Sequence, residues 1–140
     1  MRTLTIETLD LPLARPFVIA RGARTAVPVV RVTLTEGGIS ASGECSPNAR
    51  YQAYPDGICR QLAALRAAVE AGMNREQLGR MLPPGSARNA LDCALWRLEA
   101  AQRGQTLWQL TGRTPPASGA IRCAETLSLG PVESMASAAE

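Results

Sequence analysis

Fifteen arginines, with no lysine and no histidine, set the chemistry open to this chain. Lysine and histidine are the usual nitrogen bases near neutral pH. Arginine stays protonated and cannot stand in for them. Proton transfer would have to fall to carboxylates, cysteine or tyrosine, and the late acidic residues Glu125 and Glu133 are too isolated in sequence to build a Mg²⁺ site of three converging ligands. What arginine does well is grip. Its planar fork binds a carboxylate through two charge-assisted hydrogen bonds. The arginines run from Arg2 to Arg122 without a basic cluster or interleaved aromatics, so the net charge of +3 reads as solvated surface and not as a nucleic-acid interface. Cys45, Cys59, Cys93 and Cys123 are widely spaced, with no CxxC pair and no histidine to join them. They read as reduced thiols, three of them buried as small hydrophobes, and not as metal ligands.

Any such grip needs elements to hold it. Hydrophobic residues make up 46% and charged residues 19%, which predicts a packed core; aromatics are only 4%, so Ala, Leu, Val and Ile must build it. A chain of 140 residues suffices for one ordinary domain but not for two complete ones. No apolar run approaches the roughly 20 residues needed to cross a bilayer, and the alternating N-terminus lacks a signal-peptide core, so a cytoplasmic protein with no membrane partner is expected.

Residues 3–10 alternate polar and apolar, which is the period of a half-buried strand, and the two prolines of 11–16 are expected to break it. A short apolar run follows at 17–20. Residues 27–35 are β-branched, and Glu36-Gly37-Gly38 turns the chain into a return strand over 39–45. Helices come next. Ile58, Leu62, Leu65 and Val69 predict an amphipathic helix over 56–71 that stops at Gly72. Asn74 to Gln77 has the form of a capping box. Ser86 is placed to cap the longest helix, which buries Ala87, Ala90, Leu91, Ala94, Leu95 and Leu98 and terminates at Gly104. A last turn, 106–111, ends at Gly112. Pro115-Pro116 then marks a boundary, beyond which 120–129 reads as a strand and Pro131 opens another helix.

Three strands, three helices and a βα beginning resemble the layout of an enolase-superfamily capping domain leading into its barrel. The segments 16–24 (PFVIARGAR), 43–47 (GECSP), Arg50-Tyr51 and 87–96 (ARNALDCALW) resemble the muconate-lactonising/mandelate racemase branch, and within it the bacterial dipeptide epimerases of the L-Ala-D/L-Glu kind. The resemblance implies an α+β fold: a three-stranded antiparallel meander and a helical bundle as capping domain (1–114), then the first strand and partial helix of a truncated (β/α)₈ barrel (115–140). It implies a dipeptide substrate such as Ala-Glu, held between the barrel mouth and two cap loops at about 16–25 and 46–55. It further implies Mg²⁺, and lysines that shuttle the α-proton, in the full-length family enzyme.

By the same resemblance Arg24 pairs with the acidic side chain of the dipeptide, Arg21 and Tyr51 are its loop neighbours, and Thr126 faces the substrate from the first barrel strand. Asp92 and Glu99 are structural, and Trp96 packs at the domain interface. Glu44 is expected to fix a loop by accepting backbone hydrogen bonds. Without the resemblance Arg24 would read as an ordinary turn arginine. The chain departs from the family at 50–53, where Arg-Tyr-Gln-Ala replaces the frequent Arg-Tyr-Gly-Glu and an acidic loop residue is missing. Because the lysines and metal ligands would lie beyond residue 140, these residues alone are expected to be inactive and to self-associate as a homo-oligomer through exposed strand edge. Two other readings stay open: a non-catalytic binding or assembly module, and a relative of the cycloisomerases or o-succinylbenzoate synthases.

Overall fold

The alternation at the N-terminus becomes a much longer strand than its period indicates. The computed structural model describes residues 1–117 and 122–139, and its first strand, β1, runs Thr3–Ile19 straight through Pro12 and Pro16. The expected break does not occur because the three-stranded sheet has the order β1-β2-β3, which puts β1 at an edge. There a proline's missing N–H costs no ladder bond. The two-residue connection Ala20-Arg21 leads into β2 (Gly22–Glu36), and Gly37 and Gly38, both at positive φ, turn the chain into β3 (Ile39–Cys45). β2 and β3 pair antiparallel in the register Val30↔Cys45 to Glu36↔Ile39. Pro28 in β2 lies beyond that ladder.

The helical part follows the apolar spacing closely. The helix expected over 56–71 is two pieces, α1 (Pro55–Ala64) and α2 (Arg66–Glu70), because Leu65 N–H turns to Leu62 O in a tightened turn. The Asn74/Gln77 capping box opens α3 (Arg75–Met81). Helix α4 spans Ser86–Gln102, with Gly85 in the cap position and Ser86 already helical, so the expected serine cap is not made. Gly104 at φ 61 ends it as predicted. A Thr106/Gln109 capping box opens α5 (Leu107–Leu110), and α6 (Val132–Ala138) follows Pro131.

The chain divides into two compact units. The first comprises Met1–Leu9 and Pro28–Thr114, the second Asp10–Val27 and Pro115–Glu140. In the first unit Leu4, Val30, Val32, Leu34 and Ala41 from the sheet join Ile58, Leu62, Val69, Leu78 and the α4 face in one core. All six residues expected to form that face are buried. Helix α4 lies so near β3 that a Cβ on Gly43 would stand 2.7 Å from Ala94 N. Only glycine fits there. Of the cysteines, Cys45 alone is fully buried; Cys59 and Cys93 are half-buried and Cys123 is exposed, so two of the thiols expected inside sit at the rim.

The second unit holds the β1–β2 arm and the residues after the proline pair. Of the strand expected over 120–129, residues 120 and 121 lie outside the described residues, and 122–129 form no regular strand. A parallel strand needs ladders to its neighbours. Here a lone main-chain bond, Leu129 N–H to Val18 O at 2.9 Å, is described instead.

Candidate functional site

Arg24 and Phe17 flank the arm's turn at equal distance, three residues after Arg21 and three before Ala20. The guanidinium carbon of Arg24 lies 5.1 Å from the centre of the Phe17 ring, within cation–π range. Among the described residues Arg24 enters no ion pair, so the N–H edge of its fork is uncommitted. Six arginines of the first unit behave otherwise. Arg2 pairs with Glu36 at 2.9 Å and donates to Met73 O; Arg75 pairs with Glu99 at 2.9 Å while lying 3.2 Å over the Trp96 ring. Arg31, Arg66, Arg80 and Arg103 each hold a glutamate too. Those residues brace the fold.

Two recesses of the second unit share Arg24. One, of about 270 Å³, is lined by Arg15, Phe17, Arg24, Glu125, Thr126 and Ser128 among others. The other, of about 240 Å³, is bounded by Phe17, Ile19, Arg21 and Arg24. Arg24 and Thr126 therefore line one cleft, and Arg21 reaches its neighbour. With two arginines against one glutamate, the larger cleft favours an anionic group. Tyr51 is carried by the first unit, 74% exposed, on a single 3₁₀ turn (Ala49–Tyr51) whose start is capped by Asn48 Oδ1 accepting from Arg50 N–H. The next residue, Gln52, has φ 55, the left-handed conformation that glycine adopts at least cost.

One lining residue escaped the sequence reading. The Ser128 hydroxyl accepts from Val18 N–H at 2.8 Å and donates to Pro16 O at 3.2 Å, bracketing Phe17 on both sides. Its only trace in the sequence is its place two residues after Thr126, the spacing that shares a face in extended chain.

A further cleft, about 510 Å³ in the first unit, is lined by Arg2, Arg75, Glu99, Gln102 and Arg103 among others, whose charges are largely satisfied through Glu36 and Glu99. It is a brace and not a receptor. Glu44, expected to hold a loop through backbone bonds, instead pairs with Arg31 at 2.7 Å. Burial pushes the Cys45 thiol up to about 11, with the nearby Cys59 adding to the rise, so it stays protonated and unreactive. Among the described residues no three acidic, cysteine or histidine side chains converge, so they do not fit a Mg²⁺ ion. None of the helices, among those residues, is long and apolar enough to cross a membrane.

Comparison with known proteins bears on this arrangement. Residues 1–112 match the family described as mandelate racemase / muconate lactonizing enzyme, N-terminal domain. The chain is 42% identical over 139 residues to the L-Ala-D/L-Glu epimerase of Escherichia coli K12, covering 99% of itself and 43% of that protein. It therefore spans less than half the length of this relative. Among solved structures, an enolase family member from Agrobacterium tumefaciens, with homology to dipeptide epimerases and with bound sodium and L-Ala-L-Glu, superposes with a TM-score of 0.86 at 37% identity, over 99% of this chain and 42% of that one. A dipeptide epimerase from Methylococcus capsulatus, complexed with Mg and L-Arg-D-Lys, gives a TM-score of 0.78 at 25% identity, over 97% and 40%.

Proposed function

Because this chain belongs to the mandelate racemase / muconate lactonizing enzyme N-terminal domain family, with the enolase-superfamily capping fold, we propose that it is the substrate-capping part of a dipeptide epimerase, an isomerase that inverts the carbon α to a carboxylate. In this reading Arg24 grips the side-chain carboxylate of an Ala-Glu-like dipeptide. Thr126 lines the same cleft, Arg21 extends the basic rim, and Tyr51 serves the second loop. The observation that carries the reading is Arg24 itself: an uncommitted fork seated on Phe17, in a net-basic cleft shared with Thr126. A desolvated or partly desolvated carboxylate is what such a fork holds best.

The proton shuttle needs other residues. With neither lysine nor histidine, this chain lacks the usual neutral-pH bases, and its described residues do not fit the metal. We assign both functions to the barrel portion that full-length relatives carry beyond the matched part. Mg²⁺ would there offset the charge that develops on the substrate carboxylate as the α-proton leaves. An Ala-Glu substrate would suit cytoplasmic recycling of murein peptides.

The test is a chimera in which these residues replace the matching part of the Escherichia coli relative. It should exchange the α-proton of L-Ala-L-Glu for deuterium. Arg24→Ala should raise KM for that dipeptide by about tenfold to a hundredfold, as expected for losing hydrogen bonds to a charged group, and leave Ala-Leu unchanged. An equal loss for both dipeptides would overturn the assignment of Arg24. Exchange above background by the 140 residues alone would overturn the placement of the base.

A further inference from the structure

We propose that Ser128 is a positioning residue for Arg24, acting through Phe17. The argument begins with what the second unit lacks. None of its described residues is buried, so no hydrophobic core fixes the arm's side chains. A guanidinium on an open hairpin would sample many rotamers, and each ordered one costs entropy when a ligand binds. Seating it on an aromatic face confines it and leaves its N–H edge free. The platform must then be held in turn.

Ser128 supplies that hold. Its single hydroxyl is used twice, as acceptor from Val18 N–H and as donor to Pro16 O, so the peptide groups before and after Phe17 are both tied to one atom. Leu129 N–H to Val18 O adds a third bond beside it. Pro16 has its own φ fixed by its ring, which leaves the Phe17 backbone little freedom. Thr126 lies two residues earlier on the same segment and lines the cleft together with the arm's residues. One short stretch thus contributes a wall of the cleft and sets the platform under the arginine.

The consequence for catalysis rests on the proposed role of Arg24, but the geometry can be tested without any substrate. In the 140-residue chain labelled with ¹⁵N-arginine, the Arg24 Nε–Hε signal, assigned through Arg24→Lys, should be shifted upfield by the Phe17 ring. Ser128→Ala should move it to the position of exposed arginines, while Ser128→Thr, which keeps the hydroxyl, retains the shift. Phe17→Leu should abolish the shift yet leave the Val18 amide slow to exchange, since Ser128 still holds it. The Arg75 signal, displaced by Trp96, should stay constant throughout and reports that the first unit of each variant is folded. An unshifted Arg24 signal in the parent chain, or an unchanged one in Ser128→Ala, overturns the proposal, as does loss of the shift in Ser128→Thr. The chimera's discrimination between Ala-Glu and Ala-Leu does not enter this result, so the two ideas can fail separately.

Discussion

All the fully buried residues described belong to the first unit, while the cleft that carries Arg24 and Thr126 belongs to the second, which has none. The two units are built on different principles. In the first, apolar burial at about 1.5–3 kcal/mol per large side chain sets the geometry, and six arginines are consumed as braces. In the second, main-chain and hydroxyl bonds set it, and among the described residues none of its arginines enters an ion pair. The division separates arginines that packing and a glutamate hold in place from those, such as Arg24, left open on the part of the chain that packing does not stabilise.

The sharpest way to break this comparison is to truncate one aliphatic side chain in each unit to alanine. Leu91 is wholly buried against the sheet, and Leu91→Ala should cost about 2–5 kcal/mol by cavity formation. Val132 is 78% exposed, and Val132→Ala should stay within about 0.5 kcal/mol. Urea unfolding followed by far-ultraviolet circular dichroism measures both. Comparable losses would mean that the second unit shares the core and that the contrast is false.

Two glycines give a finer version of the same contrast. A Cβ on Gly43 would meet Ala94 N at 2.7 Å and Cys93 Cβ at 2.9 Å, whereas one on Gly130 would meet nothing within 4 Å. Gly43→Ala must push α4 off β3, at about 1–3 kcal/mol. Gly130→Ala should be near neutral. If thermal unfolding ranks them in the opposite order, the close strand–helix approach is not what fixes the first unit.

The same divide explains how much was legible in the sequence. Elements of the first unit were readable because burial imposes a period: every residue expected on the buried face of α4 is there, and the Asn74/Gln77 box caps as written. The misses there are local. Leu65 splits a helix, Ser86 is one position too late to cap, and Glu44 prefers Arg31 to the backbone. In the second unit no period exists to read. Edge position let β1 pass through two prolines, and residues 122–129 settle on the arm instead of forming a ladder. Arg24 and Thr126 were singled out by resemblance alone, and Ser128 was not singled out, because a hydroxyl that bonds backbone leaves no mark on composition or spacing.

The smallest effect expected is electrostatic, and it tests whether the arginine braces of the first unit contribute to stability at all. Hydrogen bonds from Gln102 and from Arg2 hold the Glu36 carboxyl below its ordinary value of 4.5. In the unfolded chain that carboxyl titrates normally. Its contribution is therefore complete above the ordinary value and is lost as pH falls through the lowered one. Between neutral pH and about pH 5 the brace should change nothing; below that, the native chain should lose stability faster than Glu36→Gln, which has no charge to lose. The Glu36 side chain is still 30% exposed, so screening keeps the difference small, and added salt should shrink it further. Urea midpoints measured against pH for the two proteins would show it as curves that converge in acid. Parallel curves would mean that Arg2 and Glu36 merely sit together, and that burial alone accounts for the first unit.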